Sequence, residues 1–517
     1  MKFGEVTEAP PSAAYRHYAL GIFALVYALN FVDRQIISVL ALDLKRDLGL
    51  SDADLGFLYG TAFGVFYALF GIPMGRLADS WNRIRLTTFG LTLWSSMTAL
   101  SGMAQNGMQL ALARIGVGVG EATASPCAYS LISDYFPKAH RATAIAFYTA
   151  GMYIGAGASL FIGATVVARW NATFPEGWVG IVGWQAAFFI VGIPGLILAL
   201  VVASLKEPVR GLSEGLTAAP AQQPFRGFFE ELLTMVPPFC LIGAARRGTR
   251  ALIANLAFAT ALGLLAWFLI TMTGDLLQWL AVAIGIYAVF SWVAALRVRD
   301  RPSFQLIWGT PSFVMLAIGH GLTSFVNYSV IFWSLPYVES ELGATRSTAA
   351  LLIGGAGAAA GFLGLILGGR LADHLRRTNP SGRILVIIAG SILPFIPLTI
   401  MYTSSSLTLF YILYFPMIFF GSITLPAAGA TTQDLVLPRM RGLASATFLL
   451  SLTMIGLALG PYTVGRISAA TGDLGTAILS LMGVLPISLI LLTLVYVRLP
   501  KAEQSIITRA RSCGEPI

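Results

Sequence analysis

The chain has 517 residues, 56% of them hydrophobic and only 11% charged, against about 25% charged in soluble globular proteins, which excludes a water-soluble protein. Its net charge of +9 does not point to nucleic acid, because the basic residues gather in the loops of one side once membrane spans are placed. Cys127, Cys240 and Cys513 lie far apart and form no CxxC, so neither a disulfide framework nor a thiol metal site is expected.

Residues 1–15 are polar and contain Pro10 and Pro11. No short apolar run with a cleavage site precedes the first span, so that span is expected to act as the insertion signal. Apolar runs then follow at 16–41, 55–78, 85–105, 108–136, 141–168 and 184–205. A pair comes next at 251–273 and 276–296, and six more at 309–335, 347–371, 383–403, 407–433, 440–466 and 474–498. These lengths suit helices crossing a hydrocarbon layer roughly 30 Å thick. The runs are continuous rather than alternating, which selects helices over a barrel. The pattern predicts an all-α polytopic membrane protein. With the first terminus inside, most of the 33 Lys and Arg fall on the inner side, which places both termini in the cytoplasm and the protein in an inner (plasma) membrane.

Between 206 and 250 the composition changes. A polar exit, Lys206-Glu207-Pro208-Val209-Arg210-Gly211, leads to small residues and then to Pro224. Phe225, Phe228, Phe229, Leu232 and Leu233 follow at helical spacing beside Arg226, Glu230 and Glu231. An interfacial amphipathic helix is predicted, broken at Pro237-Pro238. The expected domains are a six-helix bundle over 1–205, a linker with an inserted helix pair over 206–300, a second six-helix bundle over 301–498 and a tail over 499–517.

The chain repeats itself. Gly75-Arg76-Leu77-Ala78-Asp79 recurs as Gly369-Arg370-Leu371-Ala372-Asp373, an offset of 294 residues. Asp134, Pro137 and Arg141 recur as Asp434, Pro438 and Arg441, with offsets of 300 for both the Asp and the Arg. Two echoes at matching loops indicate parallel six-span halves related by a pseudo-twofold axis. Such halves hold their substrate site between them near the membrane midplane.

Residues Gly75 to Arg85 (GRLADSWNRIR) resemble the signature loop between the second and third helices of major facilitator transporters, with Asn82 where a Gly is common and the basic pair Arg83 and Arg85 kept. Within that superfamily the chain is similar to the Spinster group of lysolipid and sphingolipid transporters. The matching pieces are Asn30-Phe31-Val32-Asp33-Arg34, Arg114-Ile115-Gly116-Val117-Gly118-Val119-Gly120-Glu121-Ala122 and Lys206 to Gly211. The resemblance implies a major facilitator fold, to which the apolar pair at 251–273 and 276–296 adds two transmembrane helices between the halves. It also implies secondary transport by alternating access.

Asp33, Arg34, Arg114 and Glu121 sit inside predicted spans, where charge is costly and normally faces a cavity or a partner. At about 1.5 Å per residue, Asp33 and Glu121 lie roughly 25 and 22 Å from the cytoplasmic ends of their spans, near the middle. Arg114 and Glu121, seven apart, share a helix face, whereas Arg34 points about 100° away from Asp33. The reading is a proton site at Asp33 and Glu121, with Arg114 alternating between Glu121 and an anionic head group. Gly116 and Gly120 form a GxxxG suited to helix packing. The run containing them is not a dinucleotide loop, since no strand precedes it.

In the other half His320, Ser324, Asn327 and Tyr328 are candidate cavity residues. On the inner side Gly75, Asp79, Arg83, Arg85, Asp134, Arg141, Asp373 and Arg441 read as a gate latch. There Asp79 or Asp373 would face a helix N-terminus or an arginine such as Arg83 or Arg141. No nucleophile-with-base motif, metal cluster or phosphate loop stands out, so a transporter is expected rather than an enzyme, with no cofactor and no metal. The expected partners are a lipid-like small-molecule substrate, protons and membrane lipids, for a monomer. A small organic or sugar acid is the alternative substrate.

Overall fold

The computed structural model describes residues 3–4, 12–210, 217–218 and 223–515. Apart from a two-residue antiparallel pairing of Phe3–Gly4 with Thr217–Ala218, the described elements are helical. Twelve helices are long and apolar enough to cross a membrane, or thirteen if one sharply bent pair counts as a span. In chain order the helices begin with α1 (Ala13–Leu48) and α2 (Asp52–Ser80). Next come α3 (Arg83–Ser101), α4 (Gly107–Glu121) and α5 (Ala124–Tyr135). Helices α6 (Lys138–Thr173) and α7 (Gly183–Ala203) complete the first six-span set. The predicted spans at 85–105 and 108–136 are α3 and α4–α5. They fall short of the apolarity of a lone span because they bury polar groups against their own bundle, among them Arg83, Thr87, Ser95, Thr98, Arg114 and Glu121.

The predicted amphipathic segment forms α8 (Pro224–Met235) and α9 (Phe239–Arg246), bent by 94° at the Pro237-Pro238 break. Proline there removes a backbone donor and clashes with the preceding turn. The inserted pair is α10 (Thr249–Thr273) and α11 (Leu276–Arg299), followed by the short α12 (Arg301–Ile307). The last six spans are α13 (Pro311–Ser340), α14 (Arg346–Thr378), α15 (Gly382–Thr403), α16 (Leu407–Asp434), α17 (Pro438–Thr471) and α18 (Leu474–Gln504), and the described chain closes with α19 (Ile506–Arg511).

The described residues divide into two packed units, one within Met1–Gly49 and Leu69–Leu232, the other within Leu50–Ala68 and Leu233–Ile517. In the first, α1 packs on α6 and α3 packs on α7 and α4. In the second, the counterparts recur: α13 packs on α17 and α15 on α18. The repeat seen in the loops is therefore also a repeat of helix partners.

The second unit includes the first half of α2. Residues 50–68 lie against α17, where a Cβ on Gly56 would come within 2.4 Å of the Pro461 carbonyl and one on Gly60 within 2.3 Å of the Leu457 carbonyl. Both helices carry a wide π turn there, at Phe57–Thr61 and Leu452–Leu457. In α17 that turn shifts the ladder, so that Ala458 N bonds to Thr453 O at 2.8 Å, and the Ala458 carbonyl accepts the Thr61 hydroxyl at 2.5 Å. Backbones this close leave no room for a methyl group. Gly60→Ala is expected to lower the thermal midpoint of the purified protein. Gly71→Ala, where a Cβ meets nothing within 4 Å, leaves it unchanged. Equal midpoints for the two variants would contradict the close seam.

Candidate functional site

The intramembrane charges of the first unit form one cluster. Asp33, Arg114 and Glu121 are at most 1% exposed. Arg34 Nε donates to Glu121 Oε2 at 2.7 Å, with the Arg34 side chain 16% exposed, and its guanidinium lies 4.8 Å over the Phe31 ring. Arg114 Nη1 donates to the backbone carbonyl of Asp33 at 3.2 Å. Besides the Arg114 read from the seven-residue spacing, Glu121 has a partner on another helix. Glu121 takes a hydrogen bond from Arg34 on α1. Both arginines still act electrostatically on Glu121, and Arg114 and Glu121 act on Asp33. Two carboxylates and two guanidiniums are crossed between α1 and α4.

Neither carboxylate oxygen of Asp33 accepts a hydrogen bond among the described residues. Trp94 and Thr98 of α3 present the neighbouring donors, and their own Nε1 and Oγ1 are equally without a partner. A buried charge left this way is expensive. The GxxxG glycine explains how α3 gets so close. A Cβ on Gly120 would meet Trp94 N at 2.8 Å and the Gly90 carbonyl at 2.9 Å, so α3 and α4 touch backbone to backbone and seat Trp94 at the cluster. On the opposite flank, Gly155 of α6 lies where a Cβ would come within 2.0 Å of the Ala28 carbonyl of α1.

The second-half candidates pack rather than gather charge. His320 is buried, with Nε2 3.1 Å from the Thr424 hydroxyl and its ring 5.2 Å from that of Phe448. Asn327 Nδ2 donates to the Gly421 carbonyl at 3.4 Å. Both side chains thus reach the same turn of α16. Ser324 is buried against Gly456, and Tyr328 is half-buried.

At the loop ends each unit carries its own ion-pair knot. Arg83 is fully buried. It donates to Asp134, to Ser130 Oγ at 2.8 Å, to Glu207 Oε1 at 2.8 Å and to the Pro208 carbonyl at 3.0 Å. Glu207 also accepts from Ile84 N at 2.9 Å. In the second unit Arg383 pairs with Asp434, and with Asp373 Oδ1 at 2.8 Å, while Arg376 pairs with Glu503 at 2.7 Å. Arg83 to Arg383 and Asp134 to Asp434 are both offsets of 300. In the echo of Asp and Arg seven apart, each Asp pairs with the arginine 51 positions before it, Arg83 or Arg383.

Arg141 Nη2 donates to the Ser133 carbonyl at 3.0 Å. Arg441 is exposed at the head of its helix, and Gly75 has open space where a Cβ would stand. Asp79 is exposed and lies in the field of Arg210, Arg76 and Arg83. Arg85 is exposed too, and its amide is taken by the Asn82 side chain at 2.7 Å, which caps α3. A helix N-cap asks for Asn, not Gly, so the departure at Asn82 has a local use. Arg383 was legible at the same offset of 300 but carries no motif of its own.

A family model described as Major Facilitator Superfamily matches residues 23–338 and 316–512. An MFS-type efflux pump of Mycolicibacterium smegmatis is 30% identical over 465 residues, covering 88% of this chain and 86% of that protein. Protein spinster homolog 1 of Xenopus tropicalis is 25% identical over 479 residues, 88% of this chain and 74% of that one. A crystal structure of a bacterial homolog to the human lysosomal transporter Spinster, inward-facing and occupied, superposes with a TM-score of 0.66 at 24% identity, covering 96% of this chain and 99% of the other. This chain belongs to the major facilitator superfamily, and it is a multi-pass membrane transporter, not an enzyme, with Spinster proteins among its relatives over nearly its whole length.

Proposed function

We propose that the protein is a proton-coupled secondary transporter working by alternating access on an amphiphilic anion, such as a lysophospholipid or a sphingolipid phosphate. The observation that carries this reading is Asp33, a carboxylate buried beside Arg114 and the Arg34–Glu121 pair with no hydrogen bond to either oxygen. A proton on Asp33 removes an uncompensated charge from the bundle and frees the neighbouring guanidiniums for an anionic substrate. Arg34, partly exposed and stacked on Phe31, is the group placed to meet it. The termini lie in the cytoplasm, the membrane is the inner (plasma) membrane, and the working unit is a monomer.

A second reading, a small sugar acid as substrate, draws on a relative. A probable L-galactonate transporter of Escherichia coli is 32% identical over 172 residues, 33% of this chain and 35% of that protein. The test is uptake by the purified protein in liposomes under an imposed pH gradient, with a lysophospholipid in one arm and a hexonate in the other. Gradient-dependent lysolipid movement supports the first reading. Hexonate movement alone transfers it to the second, and gradient-independent movement of either compound removes the proton from the mechanism.

A further inference from the structure

The inserted helix pair holds a second polar centre, within the second unit. Arg247, in the turn between α9 and α10, donates from Nε to the Gly243 carbonyl at 3.2 Å. Its Nη1 and Nη2 are buried and find no acceptor among the described residues. The groups acting on it electrostatically are Cys240 and Tyr287, and no carboxylate is among them. Around it stand neutral polar groups. Tyr287 OH donates to Asn255 Oδ1 at a long 3.5 Å, Cys240 is fully buried within reach of Tyr287 and Ser291, and the Ser291 hydroxyl is itself without a partner.

A guanidinium fork presenting two buried N–H₂ groups to neutral donors is an arrangement short of an anion. The surroundings carry the same sign. Helices α10 and α11 form a hairpin, which brings the start of one beside the end of the other. At that end Arg246, Arg250, Arg297, Arg299 and Arg301 are exposed. The neighbouring acid Asp300 is taken by Arg439 at 3.0 Å.

The occupant is set by what adjoins the basic end. Helix α10 is apolar, yet only 6% of its span is buried inside the protein. It exposes Ile253, Leu256, Leu264, Trp267, Phe268 and Met272, a surface that hydrocarbon covers. A basic centre at the end of such a helix is placed for a phosphate whose tails run down the helix flank. We infer that Arg247, with Ser291 and Tyr287 and a rim of exposed arginines, is a binding site for the phosphate of an anionic phospholipid that stays bound and is not carried.

The test is thermal unfolding of the full chain in detergent, titrated with phosphatidylglycerol, phosphatidylcholine or inorganic phosphate, together with native mass spectrometry to count bound lipids. Phosphatidylglycerol is expected to raise the midpoint of the wild type and to be retained as discrete adducts, with phosphatidylcholine and phosphate inert. In Arg247→Gln the apparent affinity is expected to fall about tenfold, the worth of one charge-assisted hydrogen bond. Should that variant fold poorly, Tyr287→Phe and Ser291→Ala carry the same test, with smaller losses. Undiminished phosphatidylglycerol adducts in these variants would overturn the site. Equal protection by inorganic phosphate would overturn the lipid assignment, and equal protection by phosphatidylcholine would overturn the anion.

Discussion

Asp33→Asn is expected to abolish gradient-driven accumulation while leaving the protein as stable as the wild type. One proton moving down a one-unit pH gradient supplies about 1.4 kcal/mol, enough to concentrate a co-transported solute about tenfold. The mutant's accumulation ratio should fall to about one, with substrate exchange in the absence of a gradient retained. The reason lies in the contacts. Neither Asp33 oxygen meets a donor at full hydrogen-bond geometry, so an amide of the same shape removes the proton-exchanging group and its field on Arg114 and Glu121 while keeping the packing. Glu121→Gln differs in kind. It weakens the 2.7 Å pair with Arg34, a charge-assisted bond worth about 1.5–3 kcal/mol, so both coupling and thermal stability drop. Liposome accumulation and unfolding midpoints on the two variants check this directly. Normal accumulation by Asp33→Asn would end the proton-site reading, and a stable Glu121→Gln would show the pair to be dispensable for folding.

The second large effect belongs to Arg83. It has no exposure and four side-chain or carbonyl partners. Arg83→Ala removes the guanidinium that joins Asp134 and Glu207. Removing one partner of a buried pair costs about 3–5 kcal/mol, a large share of the stability of any domain. Arg83→Lys should rescue little, because one ammonium cannot reproduce a fork that spans two carboxylates and a carbonyl. Arg383→Ala is the internal control. Its partners Asp434 and Asp373 are 36% and 65% exposed, so water replaces the lost cation and the cost is about 1 kcal/mol or less. Comparable midpoint losses in the two alanine variants would contradict the burial argument.

Much of this architecture could be read from the chain. Continuous apolar runs separate spans from loops because hydrocarbon leaves helices as the only unclosed option. The paired pentapeptides and the offset of 300 expose the duplication. What could not be read is tertiary in origin. Arg34 stands about 100° from Asp33 on an isolated helix, and nothing local says that α4 lies on that side to receive it. The polar helices α3 and α4 look weaker as spans because they are the ones that line a charged interior. Arg383 is invisible to motif reading, since the signature loop of the first half is not copied around it. The passage of residues 50–68 into the second unit follows from glycine contacts with α17, distant by some four hundred positions in the chain.

That last feature has a mechanical meaning. Helix α2 runs unbroken from Asp52 to Ser80, yet its first half is packed in one unit and its second half in the other, with the change at Ala68 and Leu69. Just past that change the helix carries Gly71 and Pro73, residues at which a helix bends at low cost.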